Sequence, residues 1–290
     1  MGVVTNDILG FHHAGILTRD LDGLEQRYDS FGFTLSPRSR HAMNSLPGEP
    51  LVLGCTANLC ALFGDSYIEL LGIVDESAPD PWHTKEMASG FRLLNLETAD
   101  TAATNARLTA AGLRTSGVLD LQREVDTVDG PRIMRASAVH IDPSVTPGVN
   151  LGLAQHLTRA YVHQPRYLDH PNGARGIHSV LIVADAAELA AIVAHYALIV
   201  DRAARVEGPL TVVEMPSGRL EFVTVCDAAE VLPDEPTASG SRSAAITIRV
   251  ADIVKARAVV DAGGTATHTT SGGFYVSATD AHGAGLFFID

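Results

Sequence analysis

A repeated order of apolar and polar segments organises the chain. In each of four copies, a short apolar run rich in β-formers leads to an aspartate, which precedes a helix and then further strands. The four aspartates are Asp20, Asp100, Asp185 and Asp252, and they recur loosely, at roughly 65 to 85 residues. We expect each aspartate to accept hydrogen bonds from free N–H groups at the start of the helix that follows it.

Apolar residues recur at helical spacing after each aspartate. The spacing predicts helices over residues 21–31, 101–111, 186–198 and 253–262. Gly32, Gly112 and Gly263 follow three of these segments, as is typical of helix ends. The last strand of each copy is the clearest, at residues 66–71, 148–153, 219–223 and 285–289.

The repeat predicts an α+β protein made of four βαβββ modules. A stretch rich in proline, histidine and asparagine, residues 159–176, separates the second module from the third. We therefore expect one domain over residues 1–158, a linker over 159–176, and a second domain over 177–290.

Composition and charge narrow the class of protein. The chain has 290 residues, of which 46% are hydrophobic and 19% charged, so it can bury a large core. Its formal net charge of −13 argues against binding to nucleic acid or to an anionic membrane surface, because phosphate binding needs clustered Lys and Arg. A small-molecule substrate is the expected partner, and a homodimer is one of the oligomeric states left open.

The sequence also predicts a cytoplasmic protein. No apolar run approaches the roughly 20 residues that span a bilayer, and residues 1–10 lack the basic stretch and apolar core of a signal peptide. Three cysteines, Cys55, Cys60 and Cys226, form no disulfide framework and no CxxC metal motif, which suits a reducing compartment.

The first half carries several short motifs in a fixed order. They are His13 and Asp20, Arg40–His41, Gly54–Asn58 and Tyr67–Leu70. Together with the module plan, they resemble the vicinal-oxygen-chelate superfamily, which includes glyoxalase I, type I extradiol dioxygenases, and bleomycin- and fosfomycin-resistance proteins. Over roughly residues 10–156 the chain is similar to the group called glyoxalase-like domains. The resemblance implies two incomplete barrel-like halves and a cleft where a divalent metal chelates two adjacent substrate oxygens.

His13 and Glu69 match the metal-ligand positions that this resemblance implies for the first module. Imidazole and carboxylate together suit Fe, Mn, Zn, Ni or Co. Glu69 shares a strand face with Tyr67 and Leu71, so it should point into the cleft, where an unpaired carboxylate costs several kcal/mol. The alternative is a glutamate hydrogen-bonded to Ser or Tyr. His12 is expected to face the opposite way, as a core or surface histidine.

A third ligand is not evident at the usual positions. Counting back seven residues from the aspartate gives histidine in modules one and three, but Leu93 and Ala245 in modules two and four. One hypothesis completes the first site with His140 or His156. The other uses His178 and Glu221, either as a second metal site or joined to the first, and structural roles for this pair are the alternative.

The remaining cleft residues suggest roles in binding and proton transfer. His41 and Asn58 lie where the glyoxalase-like group keeps the same residue types, and we predict that they bind substrate together with His156. Glu69 and His140 are the candidates for moving a proton.

Three functions follow from these residues. The first is a divalent-metal-dependent lyase or isomerase that acts on a small oxygenated metabolite. The second is an extradiol ring-cleaving dioxygenase, which fits the length but not the position of the stronger motifs. The third is a non-catalytic protein that binds or sequesters a small molecule, against which His13 and Glu69 argue.

Overall fold

The computed structural model describes residues 7–233, 235 and 240–290, so most of the stretch inspected for a signal peptide lies outside it. Four helices are present in these residues: α1 Leu21–Ser30, α2 Thr101–Ala110, α3 Leu189–Val200 and α4 Ile253–Ala262. Eight strands precede residue 157: β1 Ile8–Thr18, β2 Ser39–Met43, β3 Val52–Leu62, β4 Tyr67–Ile73, β5 Gly90–Thr98, β6 Leu119–Val125, β7 Arg132–His140 and β8 Asn150–His156. Eight more follow: β9 Ala174–Ala184, β10 Ala204–Glu207, β11 Leu210–Glu214, β12 Arg219–Thr224, β13 Arg242–Val250, β14 His268–Thr270, β15 Gly273–Val276 and β16 Gly285–Ile289.

The predicted α+β fold of four βαβββ modules is confirmed, and the modules pair in chain order. Within each module the first and last strands run parallel, as β1 does with β4 and β9 with β12. Antiparallel pairing of β1 with β5, and of β9 with β13, joins the two modules of each half. The module pairing, which the sequence left open, is therefore one with two and three with four.

The two halves differ in closure. The first forms a closed barrel in the order β1-β4-β3-β2-β6-β7-β8-β5, whereas the second is an open sheet in the order β10-β11-β12-β9-β13-β16-β15-β14. A short antiparallel contact between β2 and β6, at Ala42 with Gln122 and Met43 with Leu121, closes the first barrel. The first half is thus more fully closed than the incomplete barrel expected from the sequence.

Three of the four aspartates cap their helices as predicted. Asp20 accepts from the Gly23 N–H, Asp100 from the Ala103 N–H, and Asp252 from two N–H groups of α4. Asp185 does not act in this way, because α3 starts at Leu189, three residues later than predicted, and the N-cap position is occupied by Glu188. None of the described helices is long and apolar enough to cross a membrane.

One continuous apolar core joins the halves. Module one packs against module four, where Phe33 stacks on Phe288 with ring centroids 6.3 Å apart and the Tyr28 hydroxyl donates to the Ala281 carbonyl. Module two packs against module three, where Arg107 donates to backbone carbonyls at the end of α3. The domain boundaries proposed at residues 158 and 177 stay a prediction.

The capping pattern makes a paired test of local stability. Asp100→Ala removes the side-chain acceptor at the start of α2 and should lower the free energy of unfolding by about 1 kcal/mol. Asp185→Ala is the matched control, since no side-chain cap begins α3, and should change stability little. Urea denaturation measures both variants, and equal losses would contradict the assignment of the caps.

Candidate functional site

The closed barrel encloses a cavity of about 510 Å³. Among the described residues its lining comes only from the first half of the chain. Polar side chains on the wall are His12, His13, His41, Thr56, Asn58, Glu69, Asn95, Arg123, His140 and His156. Apolar side chains, including Met43, Trp82, Leu93, Leu121 and Met134, form much of the rest. A volume of this size suits a small organic ligand.

Parallel pairing of β1 with β4 brings His13 and Glu69 together. His13 lies opposite Tyr67 and Gly15 lies opposite Glu69, so both functional side chains project into the barrel. His13 Nε2 is 3.5 Å from Glu69 Oε2. Gly15 leaves room for this contact, because a Cβ there would lie 2.8 Å from the Leu93 Cβ and 3.4 Å from Glu69 Oε2.

His41 approaches the same carboxylate from β2. Its Nε2 is 4.0 Å from Glu69 Oε1, while its Nδ1 is 3.0 Å from the Thr56 hydroxyl oxygen, which orients the ring. Asn58 on β3 donates its amide N–H to Glu69 Oε1 at 2.6 Å. Two imidazole nitrogens and one amide therefore converge on a single buried carboxylate.

The protonation states favour neutral imidazoles beside a charged carboxylate. Burial lowers the pKa of His13, and it lowers the pKa of His41 to about 4, so both rings are neutral near pH 7. Burial by itself opposes ionisation of Glu69, but the charge that His13 and His41 carry when protonated, the Asn58 amide and the Arg123 guanidinium outweigh it and hold the pKa of the carboxyl below its usual value. Neutral imidazole and ionised carboxylate are the forms that bind metals.

Hydrogen bonds fix the tautomer of His13. The Asn95 side-chain amide donates to His13 Nε2 at 2.9 Å, so this nitrogen carries the lone pair and the proton resides on Nδ1. His13 Nδ1 in turn donates to His12 Nδ1 at 2.7 Å. Gly152 leaves room for the Asn95 side chain, because a Cβ at residue 152 would lie 2.2 Å from Asn95 Oδ1. Two acceptor atoms, His13 Nε2 and Glu69 Oε2, thus face each other without a proton between them.

His12 also lines the cavity, and the prediction that it faces away from His13 is wrong. The pairing of β1 with β5 shifts register between Phe11 and His13, so one extra residue is inserted there as a β-bulge. The bulge lets two consecutive histidines point into the barrel, which strict alternation along a strand would forbid. No feature of the sequence marks the bulge.

A second group of polar side chains, which contains His12 and Glu97, lies next to His13. His12 Nε2 is 3.6 Å from Glu97 Oε2, and the Arg159 guanidinium reaches Glu97 Oε1 at 3.4 Å. Burial raises the pKa of Glu97 to about 7, although Arg159 opposes the shift. His156 lies beside His12 with ring centroids 4.2 Å apart, and in the described part of the chain neither of its ring nitrogens has a hydrogen-bond partner.

Neither of the residues proposed as a third ligand lies within 4.0 Å of Glu69. His140 ends β7 and packs edge-on against Trp82, with ring centroids 4.6 Å apart, and burial lowers its pKa to about 4. His156 ends β8 and stacks on Tyr67 at 5.9 Å. Of the described histidines, His13 and His41 are the two within 4.0 Å of Glu69. His41 therefore takes the place beside the carboxylate that the sequence suggested for His140 or His156.

The structure does not bring His178 and Glu221 together. In the parallel pair of β9 and β12, Ser179 and not His178 occupies the position equivalent to His13. His178 contacts Arg249 at 3.1 Å, and Glu221 accepts hydrogen bonds from Ser179 and Arg219. The count of seven residues from Asp185 is displaced by one because the segment between β9 and α3 differs from that in module one.

The side chains around Glu69 are thus of types that bind metal ions, but they are not arranged as a formed metal site. Among the described residues, no three His, Cys, Asp or Glu side chains already surround a point suited to a metal ion. Asn95 and Arg123, which the sequence analysis missed, also face the cavity. An isolated amide or arginine within a strand carries no sequence signal that separates it from a surface residue.

A barrel of paired βαβββ modules, with histidine and glutamate on the first and last strands of module one, defines a vicinal-oxygen-chelate protein. Residues 11–197 match the family described as Glyoxalase-like domain, and the chain belongs to that family. The match extends beyond the first barrel into module three. No curated protein matches the sequence.

Solved structures share the fold at low sequence identity. A hypothetical protein from Staphylococcus aureus is 14% identical, with a TM-score of 0.67, and the match covers 97% of this chain and 99% of that one. A xylose isomerase-like TIM barrel/4-hydroxyphenylpyruvate dioxygenase fusion protein is 17% identical, with a TM-score of 0.55, and covers 91% of this chain and 40% of the fusion. A mutant of 4-hydroxymandelate synthase from Streptomyces coelicolor is 12% identical, with a TM-score of 0.56, and covers 91% and 77%.

The raised pKa of Glu97 predicts a pH-dependent stability. The folded protein binds this proton more tightly than the unfolded chain, so stability is lost as pH rises from the ordinary glutamate pKa through about 7. Glu97→Gln mimics the protonated side chain at every pH. Its free energy of unfolding should exceed that of the wild type by about 1 to 3 kcal/mol at pH 8, and the difference should vanish below pH 5.

Denaturant titrations at several pH values measure this effect. Glu230→Gln is the control, because Glu230 is exposed and its substitution should leave the pH profile unchanged. A constant difference between Glu97→Gln and wild type from pH 5 to pH 8 would refute the assignment.

Proposed function

We propose that this chain is a divalent-metal-dependent enzyme that acts on a small oxygenated metabolite by lyase or isomerase chemistry. The observation that carries the proposal is the convergence of His13 Nε2 and His41 Nε2 on Glu69 within a closed cavity. Membership of the glyoxalase-like family supports the general class of chemistry.

The residues around Glu69 fit a divalent cation. Both imidazoles are neutral, and each has its Nδ1 held by another side chain, which orients Nε2 for a ligand bond. At His13 that bond would replace the hydrogen bond that Nε2 accepts from the Asn95 amide. The close approach of two acceptors, His13 Nε2 and Glu69 Oε2, favours a positive charge between them. We propose His13, His41 and Glu69 as the donor set, and a bound metal would polarise two adjacent oxygens of the substrate.

Proton transfer is assigned to His140. Its ring lies on the cavity wall and is neutral above a pKa of about 4, so it can accept a proton near pH 7. Glu69 is the other candidate for this role, but ligation would occupy its lone pairs. Asn58 and His156 would contact the substrate, Asn58 through its carbonyl oxygen, which has no hydrogen-bond partner among the described residues.

A ring-cleaving dioxygenase is the second candidate. Two histidines and one carboxylate form the ligand set that binds Fe(II) in non-haem oxygenases, and His13, His41 and Glu69 supply that set. The metal that the protein retains separates the two functions, because ring cleavage needs iron and dioxygen.

The proposal also includes the location of the protein and the kind of partner that it binds. We propose a cytoplasmic protein with a small-molecule partner and without a nucleic-acid or membrane ligand, in keeping with its net charge of −13. A protein that only sequesters a ligand is the third candidate, and metal analysis tests it directly.

Metal content measured by elemental analysis is the decisive experiment. We expect about one divalent ion per chain in protein purified without chelator. Glu69→Gln and His41→Ala should each weaken Mn²⁺ binding, measured by electron paramagnetic resonance titration, by about tenfold or more, since each removes a ligand. Iron together with oxygen uptake on catechols would favour the dioxygenase, and Mn, Zn, Ni or Co would favour the lyase or isomerase.

His178→Ala is the matched control, because His178 lies outside the barrel cavity and contacts Arg249. Its metal content should equal that of the wild type. If the wild-type protein binds no ion even with excess divalent metal, the enzyme proposal fails and the sequestering protein replaces it.

A further inference from the structure

Arg123 is a buried cation that has no hydrogen-bond or ion-pair partner among the described residues. It lies on β6, where Leu119, Leu121, Arg123 and Val125 alternate into the barrel, and it is only 5% exposed. Its side chain lines the main cavity together with Leu121, Met134 and His156. Within the described part of the chain, no hydrogen bond joins its guanidinium to another group, and no carboxylate lies within 4.0 Å of it.

Other partly buried arginines, all more exposed than Arg123, are paired. Arg107 forms two hydrogen bonds with Asp7, Arg219 binds Glu221 and Glu207, and Arg159 contacts Glu97. Isolation of Arg123 is thus unusual for this protein. A guanidinium that lines a cavity without a counter-ion is placed to pair with an anionic group that enters the cavity.

The charge of Arg123 reaches the interior of the barrel. It contributes to lowering the pKa of His13, His41 and His156, which line the cavity on different strands. The side chain also borders a smaller cavity of about 140 Å³, but Glu124 and Asp126 line that one and would repel an anion. The main cavity also holds the Glu69 carboxylate, whose pKa Arg123 helps to lower, but Glu69 is more than 4.0 Å from the guanidinium and has His13, His41 and Asn58 beside it.

We infer that Arg123 binds an oxyanion of the ligand, a carboxylate or a phosphate, and that the substrate is therefore a small organic anion. A planar guanidinium binds either group through two parallel hydrogen bonds. Apolar side chains at Leu121 and Met134 would contact the carbon skeleton next to the anionic group. The inference rests on the proposed function only for the position of the other end of the ligand, which would lie near Glu69.

Calorimetric titration with simple probes tests this inference on chelator-treated protein. Benzoate and phenyl phosphate present the two oxyanions on the same ring, and benzamide is the neutral control. Wild-type protein should bind one or both anions at least tenfold more tightly than benzamide, and the preferred anion identifies the group. Arg123→Met should lose about tenfold to a hundredfold in affinity for that anion, as expected for a charged hydrogen-bonding pair.

Matched variants separate binding from general charge effects. Arg132→Met removes an exposed arginine from the neighbouring strand and should bind the anion as the wild type does. Arg123→Lys keeps the charge without the paired donors and should bind several-fold more weakly. Should Arg123→Met fail to fold, Arg123→Lys decides the question, since unchanged affinity there contradicts the inference.

Two results would overturn the inference: equal binding of anions and benzamide by the wild type, or full anion affinity in Arg123→Met. Because the titration uses metal-free protein, it is independent of the metal measurements. Anion binding without metal binding would contradict the metal-dependent function and support the role of Arg123. Metal binding without anion binding would support the metal-dependent function and contradict the role of Arg123.

Discussion

The buried carboxylate of Glu69 is the constraint on which the site depends. Parallel pairing of β1 with β4 places it beside His13, and the antiparallel pairing of β4 with β3 and of β3 with β2 brings Asn58 and His41 to it. An ionised carboxylate in such a cavity is costly unless donors or cations surround it. Every strand of the first module therefore contributes either the charge itself or a group that compensates for it.

Sequence patterns predicted the elements whose causes are local. Apolar periodicity and capping aspartates located all four helices, with α4 at its exact predicted bounds and α3 displaced at its start. Alternation along β4 correctly oriented Glu69 toward the barrel together with Tyr67 and Leu71. These features depend on neighbouring residues along the chain, and a single sequence contains that information.

The remaining features of the site depend on the pairing and register of the strands, which a single sequence does not record. A bulge at His12 reverses the facing expected from alternation, and a one-residue offset in module three substitutes Ser179 for His178. His41 reaches Glu69 across the intervening strand β3, through the pairing of β2 with β3 and of β3 with β4. Arg123 looks like an ordinary strand residue until its neighbours are known to be the wall of a cavity.

The continuous core between the halves has a consequence for folding cooperativity. Helix α1 buries Tyr28 against module four, and α2 reaches α3 through Arg107, so each barrel helix is covered by the opposite half. Separating the halves would expose apolar surface on both, and the free-energy cost rises with that area. We therefore expect the second half to stabilise the barrel that holds the cavity, and the four modules to unfold as a single cooperative unit.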